Sequence, residues 1–292
     1  MANNKRAQLL AQQQEAQRRR RNRIIVVIAV VVVVALALAG VVIWQSLPDN
    51  PVTPAASVAS PTQASTAETN EPTGATSSET GMYIPPDGTS DMGYIQVSAA
   101  NVSPDALIVD EHLDYQCPIC DRADAIIGPS LRTLAERGDI VLRIHIRSFL
   151  DNQLKNDSSL RAGMAATCAD TVGNFIAYHE TVFANQPEEG VGYTDQQLRT
   201  DFPAMAGITG SDLAQFQTCY DTGQTMAYVQ AMEQVNSTSR TINGGDQQPP
   251  GGTPAYFVNG TPLNLNQIVN TSWAPIVDTS PDGFLAFLKT VG

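Results

Sequence analysis

Cys117 and Cys120 bracket Pro118 and Ile119, and this Cys-Pro-Ile-Cys run directly follows an apolar stretch that begins at Ala106. A thiol is a useful nucleophile only as thiolate. The first turn of a helix favours that form, through its unpaired backbone N–H groups and the positive end of the helix dipole. Pro118 suits the first helical position, where the N–H it lacks has no intrahelical partner. Cys120 then lies one turn along the same face, placed to attack a mixed disulfide formed on Cys117. At comparable sites the pKa of the nucleophile falls to between about 3.5 and 7.5, while the second thiol stays buried and protonated. Zinc is the rival reading of such a pair, but zinc usually takes a second close pair or closely spaced histidines to finish a tetrahedron. Cys168 and Cys219 stand far apart, and His112, His145 and His179 are scattered singly, so neither a metal nor another cofactor is expected. His112, five positions before Cys117, is a candidate for tuning the thiol. His145 reads as a core or edge histidine with a backbone partner.

The elements that must hold this pair are legible on either side of it. Tyr94–Val97 is predicted as a short edge strand, and residues 106–113, flanked by Pro104 and Asp114, as a buried strand leading into Cys117. Apolar residues Ile119, Ala123, Ile126, Ile127, Leu131 and Leu134 recur at helical spacing towards Gly138, with Pro129 predicted to kink the helix. Residues 140–149 alternate as a second strand. Strand, helix and strand in that order predict a βαβ unit with parallel strands and a right-handed crossover. Residues 157 to about 238 read as helical throughout. Ala255–Val258 is then a strand, Asn259 and Gly260 a hairpin turn, and residues 281–291 a final helix. Strands at both ends with a helical block between them predict an α/β domain, residues 91–292, carrying an all-helical insertion at about 151–240.

The chain holds 17 basic and 29 acidic residues, but seven of the basic ones and a single acid precede residue 24. The remainder carries 10 basic residues against 28 acidic, which repels phosphate backbones and excludes nucleic acid as a partner. Residues 1–23 thus form a basic tail. The run from Ile24 to Trp44 has no charge, and at about 1.5 Å per residue it covers roughly 30 Å, the thickness of a bilayer core. A cleaved signal peptide is the alternative, with Ala37, Ala39 and Gly40 resembling a cleavage site. The apolar run continues past them to Trp44, which favours a retained anchor. The basic tail predicts a cytoplasmic N-terminus and places the rest of the chain outside the cell membrane. Residues 45–90, rich in Pro, Ser and Thr, are expected to form a disordered spacer. In an oxidising compartment Cys168 and Cys219, both within helical pattern, are expected to form a structural disulfide. The alternative is a second redox pair passing electrons to Cys117.

A family resemblance rests on Glu111, on Asp114-Tyr115-Gln116 before Cys117-Pro118-Ile119-Cys120, on the helical insertion, and on the run from Gly252 to Gly260. Together, over about residues 94–292, these resemble the DsbA-like thiol-disulfide oxidoreductases of the thioredoxin superfamily. The anchor, spacer and second cysteine pair look like the membrane-anchored actinobacterial arrangement. The resemblance implies a thioredoxin-like fold with Thr253-Pro254 as a cis-proline loop facing the cysteine pair, where Thr253 offers strand-like hydrogen bonds to a substrate segment. An ordinary trans-proline turn is the plain alternative. The resemblance also implies that Glu111 is a buried carboxylate relaying a proton to or from Cys120. A salt-bridged or solvent-facing glutamate is the competing reading. Ile119 departs from the pattern, because the best-known oxidase has histidine there, so the thiolate loses one stabilising neighbour and the pair should be less oxidising.

The activity implied is introduction of disulfides into reduced secreted or envelope proteins, with reoxidation by a quinone-linked membrane partner of the DsbB or vitamin K epoxide reductase type. A disulfide reductase or isomerase would share every motif and differ only in potential. A redox-inactive surface interaction module is the third reading, and Cys117, Cys120 and Pro254 together argue against it.

Overall fold

The strand that leads into the cysteines lies inside a six-stranded sheet. The structure, a computed structural model, describes residues 76–77, 81–89, 93–238, 240–242, 245–247 and 250–292. The described residues all fall within one compact unit, Thr69–Gly292. The basic tail, the expected anchor from Ile24 to Trp44 and most of the expected spacer lie outside the described residues. No helix among the described residues is long and apolar enough to cross a membrane.

The sheet comprises β1 (Gly88–Thr89), β2 (Tyr94–Val97), β3 (Leu107–Asp114), β4 (Ile140–Arg147), β5 (Ala255–Val258) and β6 (Thr261–Leu263), in the order β6-β5-β3-β4-β2-β1. β3 and β4 run parallel, with Leu107 opposite Ile140 and Asp114 opposite Arg147, and α1 (Pro118–Glu136) connects them. All other neighbours are antiparallel. Every residue of β3 except Ile108 is buried, which is why it reads as a continuous run rather than an alternating one. Four of these buried residues, Asp110, Glu111, His112 and Asp114, are polar and require partners inside the protein. β5 turns into β6 through Asn259 and Gly260, both at positive φ (50° and 83°), as a two-residue hairpin demands.

Several boundaries differ from the sequence reading. β2 is not the edge strand, because Gly88 and Thr89 pair outside it. Strands at Thr76–Ser77, Tyr83–Ile84 and Gly88–Thr89 fall inside the stretch expected to be disordered. There Met82 and Ile84 pack against the core and supply the apolar anchor that the Pro/Ser/Thr composition masks. β4 ends at Arg147 and a short helix, α2 (Leu150–Leu154), follows directly. α1 continues through Pro129 as a single helix.

The helical block is interrupted rather than continuous. α3 (Ser158–Asp170) and α4 (Phe175–Ala184) are followed by an irregular segment, where Pro187, Gly190 and Gly192 break the periodicity. A π-helical turn at Gln197–Asp201, α5 (Phe202–Met205), α6 (Gly210–Thr222) and α7 (Met226–Asn236) complete the block. α3 is its centre: Ala162, Ala165, Ala166 and Ala169 are fully buried, and side chains this small let neighbouring helices approach closely. A disulfide between Cys168 and Cys219, with Cα atoms 5.7 Å apart, joins α3 to α6. The final helix, α8 (Pro281–Leu288), packs on α1 and ends before residue 291. A central sheet flanked by helices is the α/β architecture that the resemblance implies.

Candidate active site

Cys117 occupies the N-cap of α1 in extended conformation (φ −80°, ψ 114°), and Pro118 takes the first helical position. The Cys117 carbonyl accepts from the N–H groups of Cys120 and Asp121, so the first turn closes around it. Both thiols are free, and only 7% of Cys117 and 2% of Cys120 is exposed. On the far side of the pair lies the Thr253–Pro254 bond, which is cis, and the Cys117 thiol donates to the Thr253 carbonyl at 3.4 Å. Residues 117 and 120 thus meet the 253–254 loop at one end of the sheet.

The two thiols are electrostatically unlike. The Cys120 thiol beside it brings the Cys117 pKa down to about 6, against an opposing effect of burial and with help from Thr253 and the backbone N–H groups of Cys120 and Ile119. Cys120 moves the other way. Burial raises its pKa well above the ordinary thiol value, and the neighbouring Cys117 adds to the shift. One sulfur is therefore a thiolate at neutral pH while the other keeps its proton.

Glu111 is 3% exposed and accepts a hydrogen bond from the Tyr256 hydroxyl at 2.9 Å. Burial raises its pKa, as does the nearby charge of Asp124, while His179, Tyr256 and Arg132 oppose the rise. Asp124, one turn beyond Cys120 on α1, pairs with Arg132 at 2.6 Å; Arg132 also reaches Glu180 on α4 at 2.6 Å. Burial works against the charge on Asp124, yet contact with His179 and Arg132 leaves its pKa below the usual carboxylate value. The Tyr115 hydroxyl meets His179 Nδ1 at 3.1 Å. A buried polar cluster thus lies under α1, with Glu111 and Tyr256 contributed by the sheet.

The segment before Cys117 is clamped by the helical block. The Gln116 amide nitrogen lies 2.8–2.9 Å from oxygens of Asp151, Asn156 and Ser159, among which its two N–H groups are shared, and Asn156 donates back to its oxygen. The Asp114 carboxylate accepts from Gln116 N, Ser159 Oγ and Leu150 N, although burial still lifts its pKa to about 7. Gln186 donates to the carbonyls of Tyr115 and Cys117, and the Tyr193 hydroxyl to that of Tyr115 at 2.7 Å. The sequence alone signalled none of these partners.

Other candidates fall elsewhere. His112 does not face the cysteines. It lies on the opposite side of β3 from Glu111, with its ring stacked on that of His145 at 4.1 Å. The His145 ring lies between two side chains, Asp110 at 2.9 Å and Asn236 at 3.0 Å. Cys168 and Cys219 are bonded to each other within the helical block.

A family model described as thioredoxin matches residues 103–271, more than half of the chain. The chain belongs to the thioredoxin family. A Rickettsia typhi protein provisionally named a protein-disulfide oxidoreductase is 23% identical over 169 residues, which cover 58% of this chain and 56% of that protein. The match therefore spans little more than half the length of that relative. Among solved structures, reduced DsbA of Mycobacterium tuberculosis is similar with a TM-score of 0.50 at 20% identity, covering 68% of this chain and 92% of that one. MdbA of Actinomyces oris, a thiol-disulfide oxidoreductase, gives 0.52 at 16% identity, covering 71% and 92%. At such identities these structures establish the shared fold alone.

Proposed function

We propose that this chain is a DsbA-like thiol-disulfide oxidoreductase that introduces disulfides into reduced secreted or envelope proteins. The observation that carries the proposal is the asymmetry of its two thiols: Cys117 at a helix N-cap with its pKa lowered to about 6, and Cys120 buried behind it with its pKa raised. In the oxidised protein a client thiolate attacks the Cys117 sulfur, forming a mixed disulfide and releasing Cys120, which takes up a proton. The client's second thiolate then attacks its own sulfur in the mixed disulfide. Cys117 leaves as a thiolate, the client gains a disulfide, and Cys117 and Cys120 remain reduced. A low pKa makes Cys117 a good leaving group and favours this direction.

The Thr253 carbonyl, 3.4 Å from the Cys117 sulfur, is placed to accept a backbone N–H from an extended client segment. We assign Glu111 the proton exchange with Cys120, and Cys168–Cys219 a structural role. The apolar run from Ile24 to Trp44 is proposed as an uncleaved anchor with the N-terminus cytoplasmic and the catalytic domain outside. The reoxidising partner is proposed to be a quinone-linked membrane protein of the DsbB or vitamin K epoxide reductase type.

The test is oxidation of a reduced, unfolded client by the oxidised protein, where Cys117→Ala must abolish activity; retained activity refutes the reading. Ile119 between the cysteines, lacking charge and hydrogen-bonding capacity, favours a milder second reading as reductase or isomerase. A redox titration separates them, since a potential near about −120 mV marks a strong oxidant and one near about −270 mV a reductant.

A further inference from the structure

Glu111 and Tyr256 sit directly opposite each other where β3 pairs with β5, so their side chains share one face of the sheet. Both are almost fully buried, and their hydrogen bond is 2.9 Å long. Tyr256 lies two residues beyond Pro254, so the start of β5 touches the site twice. Thr253 contacts the Cys117 sulfur, and Tyr256, whose hydroxyl responds to the charges of both Glu111 and Cys120, contacts the buried acid.

We propose that Tyr256 is a positioning residue for the Cys120 half of the exchange: its hydroxyl holds the Glu111 carboxyl on the α1 side of the sheet and keeps that carboxyl able to give up its proton. The inference rests on the oxidoreductase reading above. When Cys120 attacks a mixed disulfide on Cys117, the Cys120–Cys117 bond forms and the bond from Cys117 to the client sulfur breaks. The client sulfur leaves as thiolate, and the Cys120 proton passes to the Glu111 carboxylate. In the opposite direction the client thiolate displaces Cys120, whose sulfur takes the proton back. Cys120 is too buried to exchange that proton directly with water, so its rate depends on the charge state of Glu111.

The groups facing Glu111 settle which way that state is biased. Asp124 and Arg132 face it from α1, His179 from α4 and Tyr256 from β5, while the Tyr115 hydroxyl responds to its charge from the turn after β3. Burial and Asp124 favour the protonated carboxyl; His179, Tyr256 and Arg132 favour the carboxylate. Tyr256 is itself raised well above the ordinary tyrosine value by burial, and it responds to the charges of both Glu111 and Cys120. It therefore stays a neutral donor at any working pH. Removing its hydroxyl leaves Glu111 holding its proton to higher pH.

The experiment follows ring closure in the full chain, starting from a mixed disulfide between Cys117 and glutathione and measuring the rate at which glutathione is released across pH. The wild-type rate should rise with pH along a limb that Glu111→Gln abolishes. Tyr256→Phe should move that limb upward by about one pH unit, the size expected for one lost hydrogen bond. The Cys117 titration, read from thiolate absorbance, should stay at about 6. Should Tyr256→Phe fail to fold, 3-fluorotyrosine at position 256, a stronger donor of the same shape, should move the limb downward. An unmoved limb overturns the inference, including when Tyr256→Phe merely lowers the melting temperature. If Cys117→Ala still oxidises a client, the oxidoreductase reading has failed; if only the limb stays put, that reading stands and the role of Tyr256 does not.

Discussion

The Cys117 sulfur stands 3.4 Å from the carbonyl oxygen of Thr253, although 136 residues separate the two in the chain. On the function proposed above, a client backbone segment hydrogen-bonded to Thr253 would lie beside that sulfur. Chemistry and client placement would then share one atom-to-atom contact, with the surrounding residues setting the state of the thiol.

The pKa of Cys117, lowered from 9.0 to about 6, fixes the pH profile of its alkylation. The rate of reaction of the reduced protein with iodoacetamide should rise through about pH 6 and be nearly flat by pH 8, where an ordinary thiol is still climbing. The same shift gives the reduced form extra stability. That contribution is complete above the unfolded thiol's value and is lost as pH falls through about 6. Mass-resolved alkylation checks the first statement and urea midpoints of the reduced form check the second.

The Cys168–Cys219 bond closes a loop of 51 positions between two buried sites. The double variant Cys168→Ser, Cys219→Ser should lose about 4 kcal/mol in urea unfolding by the chain-entropy argument. Its activity at a temperature where it remains folded should match that of the parent. Loss of activity in the folded variant would point to electron transfer between the two pairs instead.

Gly128 lies beneath the Asp124–Arg132 ion pair on α1, and a Cβ there would run into both side chains. Replacing glycine by alanine inside a helix ordinarily gains about 1 kcal/mol. Here Gly128→Ala should lower stability, because disrupting a buried pair costs more than helix propensity returns, of order 3–5 kcal/mol when one partner is lost. Thermal melts give the sign directly, and a stabilised variant would rule out the bridge across Gly128.

Asp170, fully buried, accepts from the Asp87 N–H at 3.0 Å; burial and the Asp87 carboxylate raise its pKa to about 7. A carboxyl held above its unfolded value stabilises the fold below about pH 4, and that contribution fades as pH rises through about 7. Asp170→Asn keeps an acceptor for the Asp87 N–H and removes the charge. In the oxidised form, where Cys117 does not titrate, the variant should gain stability relative to the parent between pH 5 and 8. Parallel curves over that range would dismiss the assignment.

Much of the fold was readable because local signals agree with it. Pro118 after a cysteine marks the start of α1, the run ahead of it marks β3, and Asn259-Gly260 marks the hairpin between β5 and β6. The elements that escaped depend on contacts distant in sequence. Tyr83–Ile84 and Gly88–Thr89 look like more of the polar spacer until Met82 and Ile84 are seen against the core. Pro187, Gly190 and Gly192 were visible, but the apolar spacing on either side concealed the break they make. In the site, Cys117 and Cys120 were legible from residue type and order, and the 253–254 loop through the family resemblance. Asp124 and Arg132 were not, since charged residues inside a helix resemble a solvated face until Glu111 and His179 are placed beside them. Tyr256 reads as one more apolar strand residue, and only its register against Glu111, 145 positions away, gives its hydroxyl a purpose.

The hold that Gln116, Gln186 and Tyr193 exert on residues 114–117 has a consequence for any attempt to shrink this protein. The turn that presents Cys117 is shaped less by its own strand than by side chains lent from a region that carries neither Cys117 nor Cys120. A version pared down to the sheet, α1 and α8 would retain both sulfurs yet leave the loop beneath them unmoored, so the smallest working unit includes the inserted helices.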